Sequence, residues 1–181
     1  MPYFIAFNMY PKHFPHKRYR ITEEFVNKHL QRSEKILDLG VDNPLSQRLR
    51  ENGFNVQNTE GEDLDFNRSV LLKDIYDVVT AFEIVEHLLN PFSLLNEIKA
   101  PKLLISVPLR LWFAKAYQSK NDERDRHFHE FEPWQLRWLL EKTGWRIVEE
   151  IQFTNPVNKI GIRPLLRRFT PRYILIYAQK T

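Results

Sequence analysis

Two runs of this chain are apolar almost without a break: "IYDVVTAF" at 75–82 and "KLLISVP" at 102–108. A strand with one wet face alternates apolar and polar residues, whereas a strand buried on both faces does not. Two such strands predict a sheet covered on both sides. The intervening segments read as the cover. Thr22 is a reasonable N-cap for a helix to about Gln31, with Phe25, Val26, His29 and Leu30 on one face. His29 on that face reads as a packed residue. Lys35–Leu39 reads as a first strand, and Asn43 with Pro44 as the start of a helix that Gly53 ends. "FNVQNT" at 54–59 alternates as a second strand should.

Farther along, 60–74 is too short for a full strand and helix, so a stub strand near Leu64–Phe66 and an abbreviated helix are expected. Residues 83–99 read as helical in two pieces, the second starting at Asn90–Pro91. After a long connection at 109–131, Pro133 opens a helix that Gly144 closes. "WRIVEEIQF" and "RYILIYAQK" are two closing strands, joined by a basic linker from about Thr154 to Arg172. Strands alternating with helices predict an α/β fold around a mostly parallel sheet. The last two strands lack a helix between them in this reading, so the final strand is expected to run antiparallel. Residues 1–21, aromatic and basic without periodicity, read as an N-terminal arm, and 22–181 as one domain.

Composition narrows the chemistry. The 181 residues hold no cysteine, which excludes disulfides, thiolate nucleophiles and cysteine zinc sites. A net charge of +4 is mildly basic and does not by itself imply nucleic acid. The first 20 residues lack a signal-peptide pattern and no stretch reads as a membrane span, so a cytoplasmic location is expected. Only five glycines occur, where average usage of about 7% gives roughly 13. Those present should mark obligatory turns.

In such sheets ligands bind beyond the carboxyl ends of the strands. Those ends are Asp38–Gly40, Thr59–Glu60, Ala81–Glu83 and Val107–Pro108, and acids gather there. A dinucleotide turn needs G-x-G-x-x-G, but after Gly40 this chain has Asp42 and no further glycine before Gly53. An acidic turn repels phosphates and suits a cofactor with a positive centre instead.

From about residue 22 onward the chain resembles the class I S-adenosylmethionine-dependent methyltransferases. "ILDLG" is similar to their first motif, and "YDVVTAFEIVEHLLNPFSLLNEIK" to the fourth strand and following helix of the branch containing quinone-biosynthesis O-methyltransferases. "HFHEFEPWQLRWLLEKTGW" and "YILIYAQK" resemble later segments of the same branch. The resemblance implies a Rossmann-like fold with S-adenosyl-L-methionine as cofactor. It places Asp38 and Gly40, with Val41 and Asp42, under the methionine part and Glu60 on the ribose hydroxyls. Asp63 and Leu64 would border the adenine, and Phe82 and Glu83 the sulfonium side. The family's usual D-x-G-x-G-x-G is replaced here by Val41, Asp42, Asn43 and Pro44 after Gly40. Asp42 would add a side chain where backbone normally lies bare, or salt-bridge the cofactor's ammonium.

The expected reaction is methyl transfer to a small-molecule acceptor, with oxygen favoured and His87 or His129 as the base. Two alternatives accompany it. One is a methyltransferase-like binding module that uses no cofactor. The other is a metal-assisted RNA 2′-O-methyltransferase, because Glu83, Glu86 and His87 with His129 are similar to a set found in small-RNA 3′-terminal 2′-O-methyltransferases. The preferred reading of that set is structural or substrate-lining, with no metal and with nucleic acid the lesser expectation as a partner.

Overall fold

The computed structural model describes residues 16–120, 125–156 and 160–181. Six strands form one sheet: β1 (Lys35–Asp38), β2 (Asn55–Asn58), β3 (Val78–Phe82), β4 (Lys102–Pro108), β5 (Trp145–Phe153) and β6 (Tyr173–Lys180). Their spatial order is β2-β1-β3-β4-β6-β5. The pairs among β1–β4 are parallel, while β6 is antiparallel to both β4 and β5. The fold is therefore the α/β, Rossmann-like sheet read from the sequence, with its final strand antiparallel.

The period-2 alternation of side chains sorts the buried residues into two clusters. Leu37, Val79, Leu103, Ile105 and Ile176 pack in one, which also holds Leu94 and Leu95 of α3 (Pro91–Glu97) and Leu136 and Leu140 of α4 (Pro133–Lys142). Ile36, Val78, Leu104, Leu175 and Tyr177 pack in the other, with Phe25 and Val26 of α1 (His16–His29) and Leu45 and Leu49 of α2 (Pro44–Glu51). This two-sided cover is why the two central runs carry no polar alternation. His29 stacks on Tyr177 with ring centroids 4.5 Å apart, as a packed residue should.

Three segments differ from the sequence reading. First, α1 begins at His16, ahead of Thr22; the Thr22 hydroxyl donates to the Arg18 carbonyl at 2.9 Å instead of capping the helix. Residues 16–21 thus belong to a helix, and the remainder of the expected arm, 1–15, lies outside the described residues.

Second, no strand forms at Leu64–Phe66. The Asp63 carbonyl accepts from the amides of Phe66 and Asn67, closing a tight turn, and a short 3-10 turn follows at Ser69–Leu72. Leu64 points into the core, and Arg68 donates to the Leu64 and Asp65 carbonyls at 2.9 and 2.8 Å. Local partners satisfy the backbone that a strand would have offered to β2.

Third, the basic linker contains a helix, α5 (Ile162–Phe169). Ile162, Leu165, Leu166 and Phe169 fall at helical spacing, a stripe that the reading of this segment as a basic linker passes over, and Ile162, Leu165 and Phe169 are exposed. The two helical pieces expected within 83–99 are a 3-10 turn at Val85–His87 and α3, with Asn90 accepting from the Ser93 amide at 3.2 Å.

Asp65 locks the approach to α3. Its carboxylate accepts from the amides of Leu89 at 2.8 Å and Asn90 at 2.9 Å. Asp65→Ala is expected to cost about 2 kcal/mol, the scale of losing charge-assisted hydrogen bonds. Urea unfolding would measure it, with amide exchange rising first at 89–93.

Candidate active site

The turn after β1 stays open although its extra glycines are missing. Gly40 has φ of +127°, and a Cβ there would lie 3.3 Å from Ile84 Cδ1. The backbone requires glycine here, and a Cβ would also press on the Ile84 side chain. Its amide donates to the Thr59 hydroxyl at 2.8 Å. Asn43 then caps α2, its Oδ1 accepting from the amides of Leu45 and Ser46 at 3.0 and 3.1 Å, with Pro44 at the first helical position. Asp42 turns away along α2. Its carboxylate pairs with Arg50 and accepts from Gln47 Nε2 at 2.7 Å. The Gln47 and Arg50 bonds hold its carboxyl below the usual range. The only non-glycine residue with positive φ among the described residues is Glu83, so Asp42 carries no such strain.

Asp38, buried at the end of β1, accepts from Thr80 Oγ1 at 2.6 Å, Asn58 Nδ2 at 3.0 Å and Asn43 Nδ2 at 3.4 Å. Burial pushes its pKa up to about 6 from 3.8, against the lowering effect of those donors.

Glu83, with φ of +58°, follows β3. A non-glycine residue held there is strained, and such strain collects at functional sites. Its carboxylate accepts from Ser106 Oγ at 2.9 Å and pairs with Arg18 of α1 at 2.7 Å. The Arg18 guanidinium also lies 5.3 Å from the Tyr173 ring centre. Between these groups is a cavity of about 260 Å³. Asp38, Gly40, Val41, Phe82 and Glu83, all anticipated, line it. Asp42, Glu60, Asp63 and Leu64 do not. Asp63 caps its own turn, accepting from the Asp65 amide at 3.0 Å, and Leu64 is core. The loop after Glu60 does touch the rim, since a Cβ on Gly61 would lie 3.1 Å from Val41 Cγ1.

Arg18, Tyr19 and Thr22 of α1, and Asn43 and Ser106, also line the cavity and were not anticipated. Arg18 was hidden because "HKRYR" has no apolar periodicity and reads as a solvated arm.

His87 and His129 lie outside this cavity. His87 Nδ1 is 2.9 Å from the Arg126 carbonyl, and its ring meets that of His127 edge-on with centroids 5.1 Å apart. His127 Nδ1 is 2.9 Å from Glu130 Oε1, and burial pushes its imidazole pKa down. The Glu86 carbonyl accepts from the amides of Phe128 and His129, joining this loop to the 85–87 turn. The Glu86 carboxylate is buried and both oxygens lack a hydrogen-bond partner; burial, then the Glu83 charge, push its pKa well above the usual range. His129 Nε2 is likewise buried without a partner.

A protein-family model described as a methyltransferase domain matches residues 12–150. The chain belongs to this methyltransferase-domain family. Solved methyltransferases share its fold. One from Archaeoglobus fulgidus, a SAM-dependent methyltransferase, is 19% identical at a TM-score of 0.59, covering 90% of this chain and 94% of its own. A SAM-dependent methyltransferase from Methanosarcina mazei is 14% identical at 0.60, covering 86% and 96%. The 1,6-didemethyltoxoflavin-N1-methyltransferase of Burkholderia thailandensis, solved with S-adenosylhomocysteine, is 16% identical at 0.58, covering 90% and 78%. No curated protein sequence matches the chain. Family and fold together support S-adenosylmethionine as the cofactor of this methyltransferase domain. Among the described residues no helix is long and apolar enough to cross a membrane.

Asp38 makes the stability of the methyltransferase domain depend on pH. A folded pKa raised above the unfolded value favours the native state at low pH, and that contribution is lost as pH climbs from about 4 through about 6. At about 1.4 kcal/mol per pKa unit, the change is roughly 2 to 3 kcal/mol. Between pH 4 and pH 7.5, Asp38→Asn should therefore gain that much stability relative to wild type, read by urea unfolding at both pH values. A constant difference would contradict it.

Proposed function

We propose that this domain binds S-adenosylmethionine between α1 and the turn after β1, and transfers its methyl group to an oxygen of a small-molecule acceptor. One observation carries the reading: the backbone at Leu39–Val41 borders a cavity whose wall holds both a guanidinium, Arg18, and a carboxylate, Glu83. A zwitterionic amino-acid end requires that combination of charges. The crowding at Gly40 fits the same group, since any side chain there would fill the approach.

Bound there, S-adenosylmethionine supplies an electrophilic methyl group on a sulfur cation. The protein's part is placement and exclusion of water. Arg18 takes the carboxylate of the amino-acid end as a charge-assisted pair, and Glu83 accepts from the ammonium. Phe82 and Ile84 form an apolar wall, and Tyr19 covers the cavity from α1. Glu60, whose loop abuts Val41, receives the ribose hydroxyls, with Asp63 farther out along that loop. Asp38 acts from beneath, fixing strand ends and turn. Asp42 keeps the turn open by holding to α2 and makes no contact with the cofactor.

Oxygen as the acceptor atom rests on the resemblance of 76–99 to the quinone-biosynthesis branch. His129 takes the proton of the acceptor hydroxyl. Its buried Nε2 has no partner, whereas His87 is engaged by the Arg126 carbonyl and packs on His127.

Calorimetry with S-adenosylhomocysteine tests the reading. Wild type should bind one equivalent. Arg18→Gln should weaken binding tenfold or more, about 1.4 kcal/mol, while Asp42→Ala should stay within about threefold. No heat and no thermal shift at millimolar ligand would instead favour a module that uses no cofactor.

A further inference from the structure

Beside the cofactor cavity, Glu86, His87 and His127 each offer one ligand atom, and these atoms lie within 4.8 Å of one another. Three features set this cluster apart from an ordinary polar contact. Glu86 is 1% exposed, and neither carboxylate oxygen has a hydrogen-bond partner. A buried carboxylate without partners is costly, and proteins rarely keep one unless something neutralises it. His87 Nε2, at 3.7 Å from Glu86 Oε1, is too far to donate effectively.

The two histidines are arranged as ligands. His87 Nδ1 lies 2.9 Å from the Arg126 carbonyl, and His127 Nδ1 lies 2.9 Å from the Glu130 carboxylate. An acceptor at Nδ1 fixes the proton there and leaves Nε2 as a bare lone pair. Carbonyl and carboxylate partners of this kind orient metal-bound imidazoles and raise their basicity. Both rings are thus set in the tautomer that gives Nε2 to a cation.

We infer that Glu86, His87 and His127 form a site for one divalent first-row transition metal ion. Two imidazoles and one carboxylate suit zinc, cobalt or manganese better than magnesium or calcium, which prefer all-oxygen sets. Metal–ligand distances of about 2.0–2.2 Å require the three atoms to close by roughly 1 Å, which side-chain rotation supplies. Three protein donors leave positions open for water or an oxygen of an acceptor. Glu86 sits three residues beyond Glu83, which lines the cavity. The anticipated set used Glu83 and His129. Glu83 is already paired with Arg18 and Ser106, and His127 takes the histidine position in the cluster.

The test needs no adenosyl ligand, so its outcome is separate from that of the methyl-transfer reading. Tag-free full-length protein, stripped with chelator, is titrated with Zn²⁺ by calorimetry and with Co²⁺ by visible absorption. One equivalent should bind, with cobalt d–d bands showing nitrogen ligation. Glu86→Gln and His127→Ala should each weaken Zn²⁺ binding at least 100-fold. Glu130→Gln, which acts only through the His127 ring, should weaken it about 10- to 100-fold. Metal should raise the melting temperature of wild type and not of Glu86→Gln. Without metal, Glu86→Gln should melt close to wild type, because the amide replaces a buried carboxyl group of the same shape that has no hydrogen-bond partner. No binding at millimolar metal, or unchanged affinity in folded Glu86→Gln and His127→Ala, would overturn the inference.

Discussion

The buried carboxylate of Asp38 is the joint on which this molecule turns. It belongs to β1, yet it accepts from Asn58 at the end of β2, Thr80 on β3 and Asn43 at the start of α2. One side chain thereby sets the relative heights of three strand ends and the entry of a helix. Buried polar networks of this kind are demanding, since each member left unpaired costs the structure. Here the donors are neutral amides and a hydroxyl rather than a cation, so desolvation prevails and the carboxyl holds its proton to about pH 6. The order at the rim comes at some expense in stability at neutral pH.

That joint also explains how a turn short of glycines remains usable. With Asn43 committed to the cap and to Asp38, the backbone at 41–43 has little freedom. Asp42 then falls beside α2, where Arg50 and Gln47 receive it. A residue that looked like an obstruction becomes a strut on the outer side of the turn. The obligatory glycine of this turn is Gly40, because its positive φ strains any other residue and a Cβ would press on the Ile84 side chain.

The strands and the helices with a buried face were legible from period and punctuation. Proline and asparagine marked α2 and α3 because those residues satisfy orphan amides by chemistry local to the sequence. Long-range partnerships were not legible. Arg18 reads as one more base in a basic arm until α1 brings it to Glu83, 65 positions away. The α5 helix was legible in the spacing of Ile162, Leu165, Leu166 and Phe169 and was masked only by the arginines between them. Leu64 looked like a pocket residue by position and is core by burial. Among the histidines, the resemblance singled out His129, whereas the loop's path places His127 against His87. Glu83 illustrates the general difficulty: its φ of +58° goes with contacts to Arg18 and Ser106, neither of which its neighbours in sequence announce.

The turn at 63–67 has a further effect on the sheet. Among the described residues, no strand pairs with the outer side of β2, where the Arg50 guanidinium donates to the Val56 carbonyl at 3.3 Å. Free edges invite other chains to add on, but this one spans four residues and carries amide side chains at Asn55, Gln57 and Asn58. Such a margin is short and hydrophilic, and Arg50 covers part of it. A designed peptide adding one more parallel strand would have to take the Val56 carbonyl from Arg50, and so would loosen the same side chain that holds Asp42 beside α2.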